Sequence, residues 1–358
     1  MSRALQFRAL QFIVRFTGAT SFLIVFLILL TGCATAPSQS VSNAETQADG
    51  AAMGGKLNVV TTVSPLTNLI YNIGGAHINL TGIVPEGTNS HTFEPAPSDA
   101  VKLAEADLIF INGLHLEQPT LDMAEASKRD DAEIILLGEQ TVSPDEYVYD
   151  FSFPKADGNP NPHLWLNPMY ALRYAEIVRD ALSARDPANA DDFSANYDAL
   201  AERIEALDQT ITETIATIPE ANRRLLTYHD SWAYFAPRYG LTVIGAIQPS
   251  DFAEPSAREV ADLITQIRDE QVPAVFGSEV FPSTVLEQIA RETGVTYVDQ
   301  LRDDDLPGKP GETQHSYIGM MVNDVQIMAE ALGGDATQIA AFDTANIPGT
   351  DQTVAQPQ

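Results

Sequence analysis

Short apolar runs alternate with amphipathic segments along most of the chain, beginning near Lys56. In the first half, runs rich in β-branched residues predict four buried strands, at 57–63, 78–84, 108–112 and 133–137. Apolar residues at helical spacing fill the gaps, as at 65–73 and 98–106. Strands that alternate with helices are typical of βα units with a mostly parallel sheet. We therefore expect an N-terminal α/β lobe over 56–185.

The second half repeats this alternation. Its apolar runs predict strands at 224–228, 241–246, 274–277 and 296–301. Helices separate them, for example at 255–269. A second α/β lobe is therefore expected over 220–340.

A long amphipathic segment lies between the two series and predicts a connecting helix over 186–219. Asp186-Pro187 is a helix-start signal, apolar residues recur every three or four positions from Phe193 to Ile218, and Pro219 ends the pattern. About 30 residues would span about 45 Å. An isolated coiled coil is one alternative, but the position between two lobes favours a stiff strut. The segment has no Gly and no internal Pro at which to bend.

The N-terminus has the pattern of a secretory signal peptide, expected over 1–32. Three arginines precede an apolar run at 16–30, which ends in Leu30-Thr31-Gly32-Cys33. This ending resembles the bacterial lipoprotein box, which implies cleavage before Cys33 and acylation of its thiol. A single-pass transmembrane anchor is the alternative. Both place the remaining chain outside the cytoplasm, and acylation would anchor it to a bacterial membrane.

The two ends of the expected globular region lack apolar periodicity. Residues 33–55 are rich in Ala, Ser, Thr, Gln and Gly, which predicts a flexible tether. Residues 341–358 read as a loose C-terminal tail.

Length, charge and cysteine content each restrict the possible structures and partners of the chain. The chain has 358 residues with 44% hydrophobic content, enough for two domains that each bury a core. Its 20 Lys plus Arg against 49 Asp plus Glu give a net charge of -29, which would repel nucleic acid. Cys33 is the single cysteine, so an intramolecular disulfide and a cysteine-based zinc cluster are excluded.

Three of the six histidines lie in loops at predicted strand ends. His91 follows the strand at 78–84, His163 lies between two prolines in 161–168, and His229 ends the strand at 224–228. Ligand sites of α/β folds lie at strand ends. Singly, each histidine is more often a surface or core residue than a ligand, but three in this context, from both lobes, favour a metal site.

An oxygen ligand from the second lobe would complete such a site. Asp303, Asp304 and Asp305 follow the last predicted strand and each offers one, although an Asp run before Pro-Gly is usually a solvated turn. Three imidazoles and a carboxylate satisfy a tetrahedral divalent ion. A closed four-ligand site lacks the open position that catalysis needs, so binding is favoured over turnover.

Other polar residues at strand ends are weaker candidates. His115 and Glu279 each follow a strand and are possible neighbours that support the ligands without touching the ion. For His115 a simple surface role is the main alternative. His77 and His315 lie in polar loops and are expected to have no specific role.

Five segments, in order, give the chain a specific resemblance over about 56–332. They are 84–97, 161–168, 227–232, 248–256 and 304–321. Together they resemble the zinc/manganese family of ABC-transporter solute-binding proteins. The resemblance implies two (β/α) lobes with mostly parallel sheets, joined by one long rigid helix, with a metal ion in the cleft between them.

Carried over position by position, the resemblance implies the ligands His91, His163, His229 and Asp304. Some relatives carry Glu where this chain has His229. The implied function is capture of one divalent ion, zinc or next manganese, by a monomeric lipid-anchored protein that is not an enzyme. The implied partners are an ABC permease and its ATPase.

Two other functions use the same residues differently. A zinc hydrolase also builds its centre from His and carboxylate ligands, but the chain has no His-Glu-x-x-His motif. A surface adhesin is a label that some relatives carry, and the tether neither supports nor excludes it.

Overall fold

The computed structural model describes residues 55–248, 255–280 and 283–347. All of them belong to one compact unit, Gly54–Gln358. The predicted signal peptide, Cys33, most of the tether, the end of the tail and residues 249–254 of one motif lie outside the described residues. Within the described part of the chain, no helix is long and apolar enough to cross a membrane.

The first lobe is built on a four-stranded parallel sheet of order β2-β1-β3-β4. Its strands are β1 (Leu57–Thr61), β2 (Ile78–Gly82), β3 (Leu108–Ile111) and β4 (Glu133–Leu136). Its helices are α1 (Ser64–Gly74), α2 (Asp99–Glu105), α3 (Gln118–Ser127) and α4 (Leu137–Thr141). The predicted α/β lobe is confirmed.

Two consecutive helices, α5 (Pro168–Arg185) and α6 (Ala190–Ala216), follow the first lobe and pack on each other. No helix is predicted at 168–185, where the structure has α5. Its start carries clear signals, because the Asn167 side chain accepts a hydrogen bond from the Met169 N–H and Pro168 occupies the first turn.

The second lobe repeats the first, with a parallel sheet of order β6-β5-β7-β8. Its strands are β5 (Arg224–Thr227), β6 (Thr242–Ala246), β7 (Ala274–Ser278) and β8 (Thr296–Leu301). Its helices are α7 (Ala236–Tyr239), α8 (Ala257–Glu270), α9 (Thr284–Thr293), α10 (Tyr317–Ala331) and α11 (Thr337–Ala340). In both sheets the strand order reverses beside the first strand, which is where α/β folds form a crevice at the carboxyl ends.

The connecting helix differs from its prediction at the N-terminal end. Residues Pro187–Asn189 form a separate 3-10 turn, and the α-helix begins at Ala190. Asp186 does not cap the helix, because its carboxylate accepts a hydrogen bond from the Asn189 side chain instead. The remaining 27 residues span about 40 Å.

Helix α6 contacts elements of both lobes. Its predicted apolar stripe is buried at Phe193, Leu200, Ile204, Leu207, Ile211 and Ile215. The helix packs against α1 in the first lobe and against α7, α10 and α11 in the second. One continuous hydrophobic cluster includes this stripe and residues of both sheets. The helix is therefore held along its length by both lobes.

Candidate metal centre

Three histidines from both lobes converge on one point. The Nε2 atom of His91 lies 3.2 Å from that of His163 and 3.1 Å from that of His229. The Nε2 atoms of His163 and His229 are 3.1 Å apart. The ring nitrogens nearest one another thus form an almost equilateral triangle.

Each histidine reaches this point from a short loop. His91 lies in the 3-10 turn Ser90–Thr92 beyond β2, where its backbone N–H donates to the Asn89 side chain. His163 immediately precedes the 3-10 turn Leu164–Leu166, and His229 follows β5 by two residues. The structure thus places His91 and His229 on loops after β2 and β5, whereas His163 lies far beyond the end of β4, next to a 3-10 turn.

Amide oxygens hold two of the rings in one orientation. The Nδ1 atom of His163 lies 2.8 Å from the Asn161 Oδ1, and that of His229 lies 3.0 Å from the Gln248 Oε1. An amide oxygen only accepts hydrogen bonds, so each Nδ1 carries the proton. Each Nε2 then presents a lone pair to the centre of the triangle. Asn161 is itself fixed, because its Nδ2 donates to the Asp230 backbone carbonyl at 2.7 Å.

Burial keeps the imidazoles of His91 and His163 neutral. The exposed fraction is 0% for His163 and 2% for His229. Burial first, and then the neighbouring His229, lower the pKa of His91 well below its usual value. The same causes, with a further contribution from His91, lower the pKa of His163. Neutral imidazole is the form that ligates a metal.

The triangle fits a transition-metal ion. Ligand distances of about 2.0–2.1 Å in a tetrahedral site separate neighbouring nitrogens by about 3.3 Å. The observed 3.1–3.2 Å is close to this value. Without a cation, lone pairs would face one another at these distances, so a cation at the centre would relieve the repulsion between them.

Asp304 is buried and partly unpartnered. Its Oδ2 accepts hydrogen bonds from the Ser90 hydroxyl at 2.7 Å and from the Ser90 backbone N–H at 3.2 Å. Its Oδ1 has no hydrogen-bond partner within the described ranges. In the same ranges, the ligand atoms of the three histidines all lie within 4.8 Å of one another, and Asp304 is not part of this group. Ser90 thus ties Asp304 to the loop of His91.

The neighbouring aspartates are engaged differently. The Asp303 Oδ1 accepts from the Ser278 hydroxyl at 3.3 Å, and the Asp305 Oδ2 accepts from the Gly87 backbone N–H at 2.6 Å. Of the three, Asp304 is the one with a buried carboxylate oxygen that no described group satisfies.

Glu279 holds the backbone of the aspartate run, residues 303–305. Its Oε1 accepts hydrogen bonds from the backbone N–H groups of Asp303, Asp304 and Asp305, at 3.1, 3.2 and 3.0 Å. Burial first, and then the three aspartates, raise the pKa of Glu279 well above its usual value. Burial and then Asp303 likewise raise the pKa of Asp304. Crowded buried carboxylates of this kind favour a nearby cation.

Aromatic rings pack against the three histidines, which are called the triad below. The Phe153 ring centroid lies 5.6, 5.7 and 6.0 Å from the rings of His91, His163 and His229, and Phe153 is 7% exposed. The Trp165 ring lies 5.1 Å from His163, and its Nε1 donates to the Asp303 backbone carbonyl at 2.8 Å. The first-lobe motif is thereby joined to the aspartate run.

The remaining histidines lie away from the triangle. The His115 side chain is exposed and lines a cavity that also reaches His91. The Nε2 of His77 lies 3.0 Å from an Asp192 carboxylate oxygen. The Nε2 of His315 lies 3.2 Å from a Glu86 carboxylate oxygen.

Sequence reasoning missed the residues that orient and cover the triad. Asn161, Gln248, Ser90 and Phe153 were not singled out, although three of them carried a signal. Asn161 lies two residues before His163, Ser90 directly precedes His91, and Gln248 is the first residue of the segment 248–256. Nothing in the sequence marks Phe153.

Comparison with known proteins matches both the fold and most of the chain. The family model described as "Zinc-uptake complex component A periplasmic" matches residues 59–331. The metal ABC transporter substrate-binding lipoprotein FimA of Streptococcus parasanguinis is 30% identical over 317 residues, which cover 87% of this chain and 98% of FimA. The manganese-binding lipoprotein MntA of Halalkalibacterium halodurans is 28% identical over 279 residues, 78% of this chain and 89% of MntA.

A solved structure agrees with these matches. The periplasmic zinc-binding protein TroA from Treponema pallidum has a TM-score of 0.71 and 25% sequence identity, and the match covers 78% of this chain and 99% of TroA. The predicted fold of two parallel α/β lobes with a long connecting helix is confirmed. The chain therefore belongs to the family of zinc-uptake complex component A, the metal-binding substrate-binding components of ABC transporters.

Proposed function

We propose that the protein captures one divalent transition-metal ion through His91, His163, His229 and Asp304 and delivers it to an ABC importer. The observation that carries this proposal is the convergence of three imidazole Nε2 atoms at 3.1–3.2 Å. The family consists of substrate-binding proteins and not enzymes. The centre accordingly serves to hold and release an ion.

The environment of Asp304 supports it as the fourth ligand. Its Oδ1 is buried without a partner in the described structure, while its Oδ2 is held by Ser90. Movement of the second-lobe loop toward the triad would bring Oδ1 to the ion. Glu279 would position the aspartate run during this movement, since it binds three consecutive backbone N–H groups.

Zinc is the proposed ion, with manganese as the second candidate. Three imidazoles and one carboxylate form the donor set that zinc prefers, whereas manganese favours more oxygen ligands. The relatives include both TroA, named for zinc, and MntA, named for manganese. Nitrogen-rich sites generally bind zinc more tightly than manganese.

Delivery would proceed from outside the cytoplasm, with Cys33 acylated and the protein acting as a monomer. The relatives FimA and MntA are named lipoproteins, which supports the anchor. Helix α6 packs against both lobes and would act as a strut. Metal release would then come from local movement of loops, above all those of His229 and Asp304.

Calorimetric titration of the metal-free mature protein tests the proposal. We expect one Zn²⁺ per chain, weaker binding of Mn²⁺, and a loss of at least about tenfold to a hundredfold in zinc affinity for His163→Ala. His77→Ala is the matched control, because His77 lies outside the triad and pairs with Asp192. Full stoichiometric affinity in His163→Ala would overturn the proposed site.

A further inference from the structure

A cavity of about 210 Å³ leads to the triad on the side of His91. Its wall includes His91 and the aromatic cover Phe153, together with the exposed side chains of His115, Asp157 and Asn159. His163 and His229 are fully buried, but His91 keeps part of its surface accessible. The cavity thus joins solvent to the one member of the triad that is partly exposed.

The backbone places His115 at this wall by an uncommon conformation. Leu114 and His115 have φ values of 51° and 65°, in the left-handed region that residues other than glycine rarely adopt. The Leu114 backbone N–H donates to the Glu139 Oε1 at 2.9 Å, and Leu114 and Leu116 are buried. These contacts hold the strained turn and leave the imidazole of His115 exposed between two buried leucines.

The chemistry and size of the cavity suit a hydrated metal ion. Imidazole and carboxylate groups replace water on a divalent transition metal, and the cavity offers one of each from His115 and Asp157. Six water molecules at about 30 Å³ each occupy about 180 Å³. The cavity volume of about 210 Å³ is therefore large enough for an ion with its first layer of water.

We propose that this cavity is the vestibule through which a hydrated divalent ion reaches the triad, with His115 and Asp157 as transient ligands. This inference rests on the proposed function of the triad. The ion would exchange part of its water for His115 and Asp157, and then pass to His91 beside Phe153. The acidic character of the whole chain, with a net charge of -29, would raise the local cation concentration at the vestibule.

A transient role has a kinetic signature. Groups that contact the ion only on its way change the barrier and leave the end states unchanged. Removing them should lower the association and dissociation rate constants by the same factor, with Kd unaffected. Damage to the final site would instead raise the dissociation rate constant and Kd.

Stopped-flow mixing of metal-free protein with Zn²⁺ alone measures the association rate constant, and competition with a chelator measures dissociation. Trp165, 5.1 Å from His163, provides the fluorescence signal. For the double variant His115→Ala/Asp157→Asn we expect both rate constants to fall about tenfold. The matched control is His77→Ala/Asp198→Asn, which removes the same side-chain types at positions outside the cavity wall. If the double variant folds poorly, His115→Gln and Asp157→Asn are measured singly.

The outcomes separate the two proposals. A wild-type protein without one-to-one zinc binding would overturn the proposed function. Normal wild-type binding, with rate constants that are the same in the vestibule variant and the wild type, would overturn the vestibule alone. A rise in Kd caused by faster dissociation would place His115 or Asp157 at the final site and would also overturn the transient role.

Discussion

Replacing Asn161 by Ala tests how the triad is held in its ligating form. The Asn161 Oδ1 accepts from the His163 Nδ1 at 2.8 Å and from the His163 backbone N–H at 3.1 Å. Its Nδ2 donates to the Asp150 Oδ2 at 3.0 Å and to the Asp230 carbonyl at 2.7 Å. The alanine variant would lose all four bonds and free the His163 ring to rotate or to move its proton to Nε2.

The structure sets the scale of both effects. Residues that orient metal-binding histidines contribute about tenfold to a hundredfold to affinity, which is about 1.4–2.8 kcal/mol. Four hydrogen bonds, three of them buried and one partly buried, at about 0.5–1.5 kcal/mol each, correspond to a loss of about 2–6 kcal/mol in the free energy of unfolding. We therefore expect Asn161→Ala to weaken zinc binding and to destabilise the metal-free protein.

Competition with a chelator would measure affinity, and urea unfolding would measure stability. Asn196→Ala is the control, because the Asn196 side chain donates one hydrogen bond to the Ile73 carbonyl and lies outside the triad. Gln248→Ala repeats the test on His229, whose Nδ1 lies 3.0 Å from the Gln248 Oε1. Unchanged zinc affinity in folded Asn161→Ala and Gln248→Ala would refute the orientation argument.

Three further predictions concern the anchor, the strut and the buried acids. Mass spectrometry of membrane-extracted protein should find acylated Cys33 at the N-terminus, and an unmodified Cys33 or a chain starting at Met1 would contradict this. Small-angle scattering of metal-free and metal-loaded protein should differ little, while hydrogen exchange slows around His229 and Asp304; a large metal-dependent compaction would show that α6 is a hinge. Burial raises the pKa of Glu117 from 4.5 to about 7, so its contribution to stability is present below pH 4.5 and is lost as pH rises to about 7. Relative to wild type, Glu117→Gln should therefore gain about 3 kcal/mol in unfolding free energy between these pH values. Glu125→Gln, on the exposed face of α3, is the matched surface control. Parallel pH profiles for wild type and Glu117→Gln would contradict the raised pKa.

The sheets could be predicted from the sequence because strands of a parallel sheet are buried on both faces. A central strand then appears as a short continuous apolar run, as at Leu108–Ile111, where all four residues are buried. The start of the connecting helix was harder to place. Asp186-Pro187 has the composition of a helix start, but the Asp186 carboxylate binds the Asn189 side chain, and this choice depends on local geometry.

The site residues likewise include some that the sequence reveals and some that only the structure distinguishes. His91, His163 and His229 could be found because their turn-rich and proline-flanked contexts are visible in the sequence. Residue type alone could not separate Asp304 from its neighbours. The structure does separate them, because Asp303 and Asp305 each bind a different donor and Asp304 keeps a buried free oxygen in the described structure.

Phe153 packs over the site through contacts that no local sequence pattern encodes. Phe153 lies against all three histidines, yet it stands in a turn-rich stretch without apolar periodicity. Its position depends on the path of the loop that precedes His163.

The central claim is that one metal ion binds the Nε2 atoms of His91, His163 and His229 together with Asp304. A crystal structure of the zinc-loaded protein, with anomalous diffraction recorded on both sides of the zinc absorption edge, tests it most directly. We expect one strong anomalous peak at about 2.0–2.1 Å from the three Nε2 atoms and a similar distance from an Asp304 carboxylate oxygen. A peak away from the triad, or a zinc ion bound without Asp304, would contradict the claim.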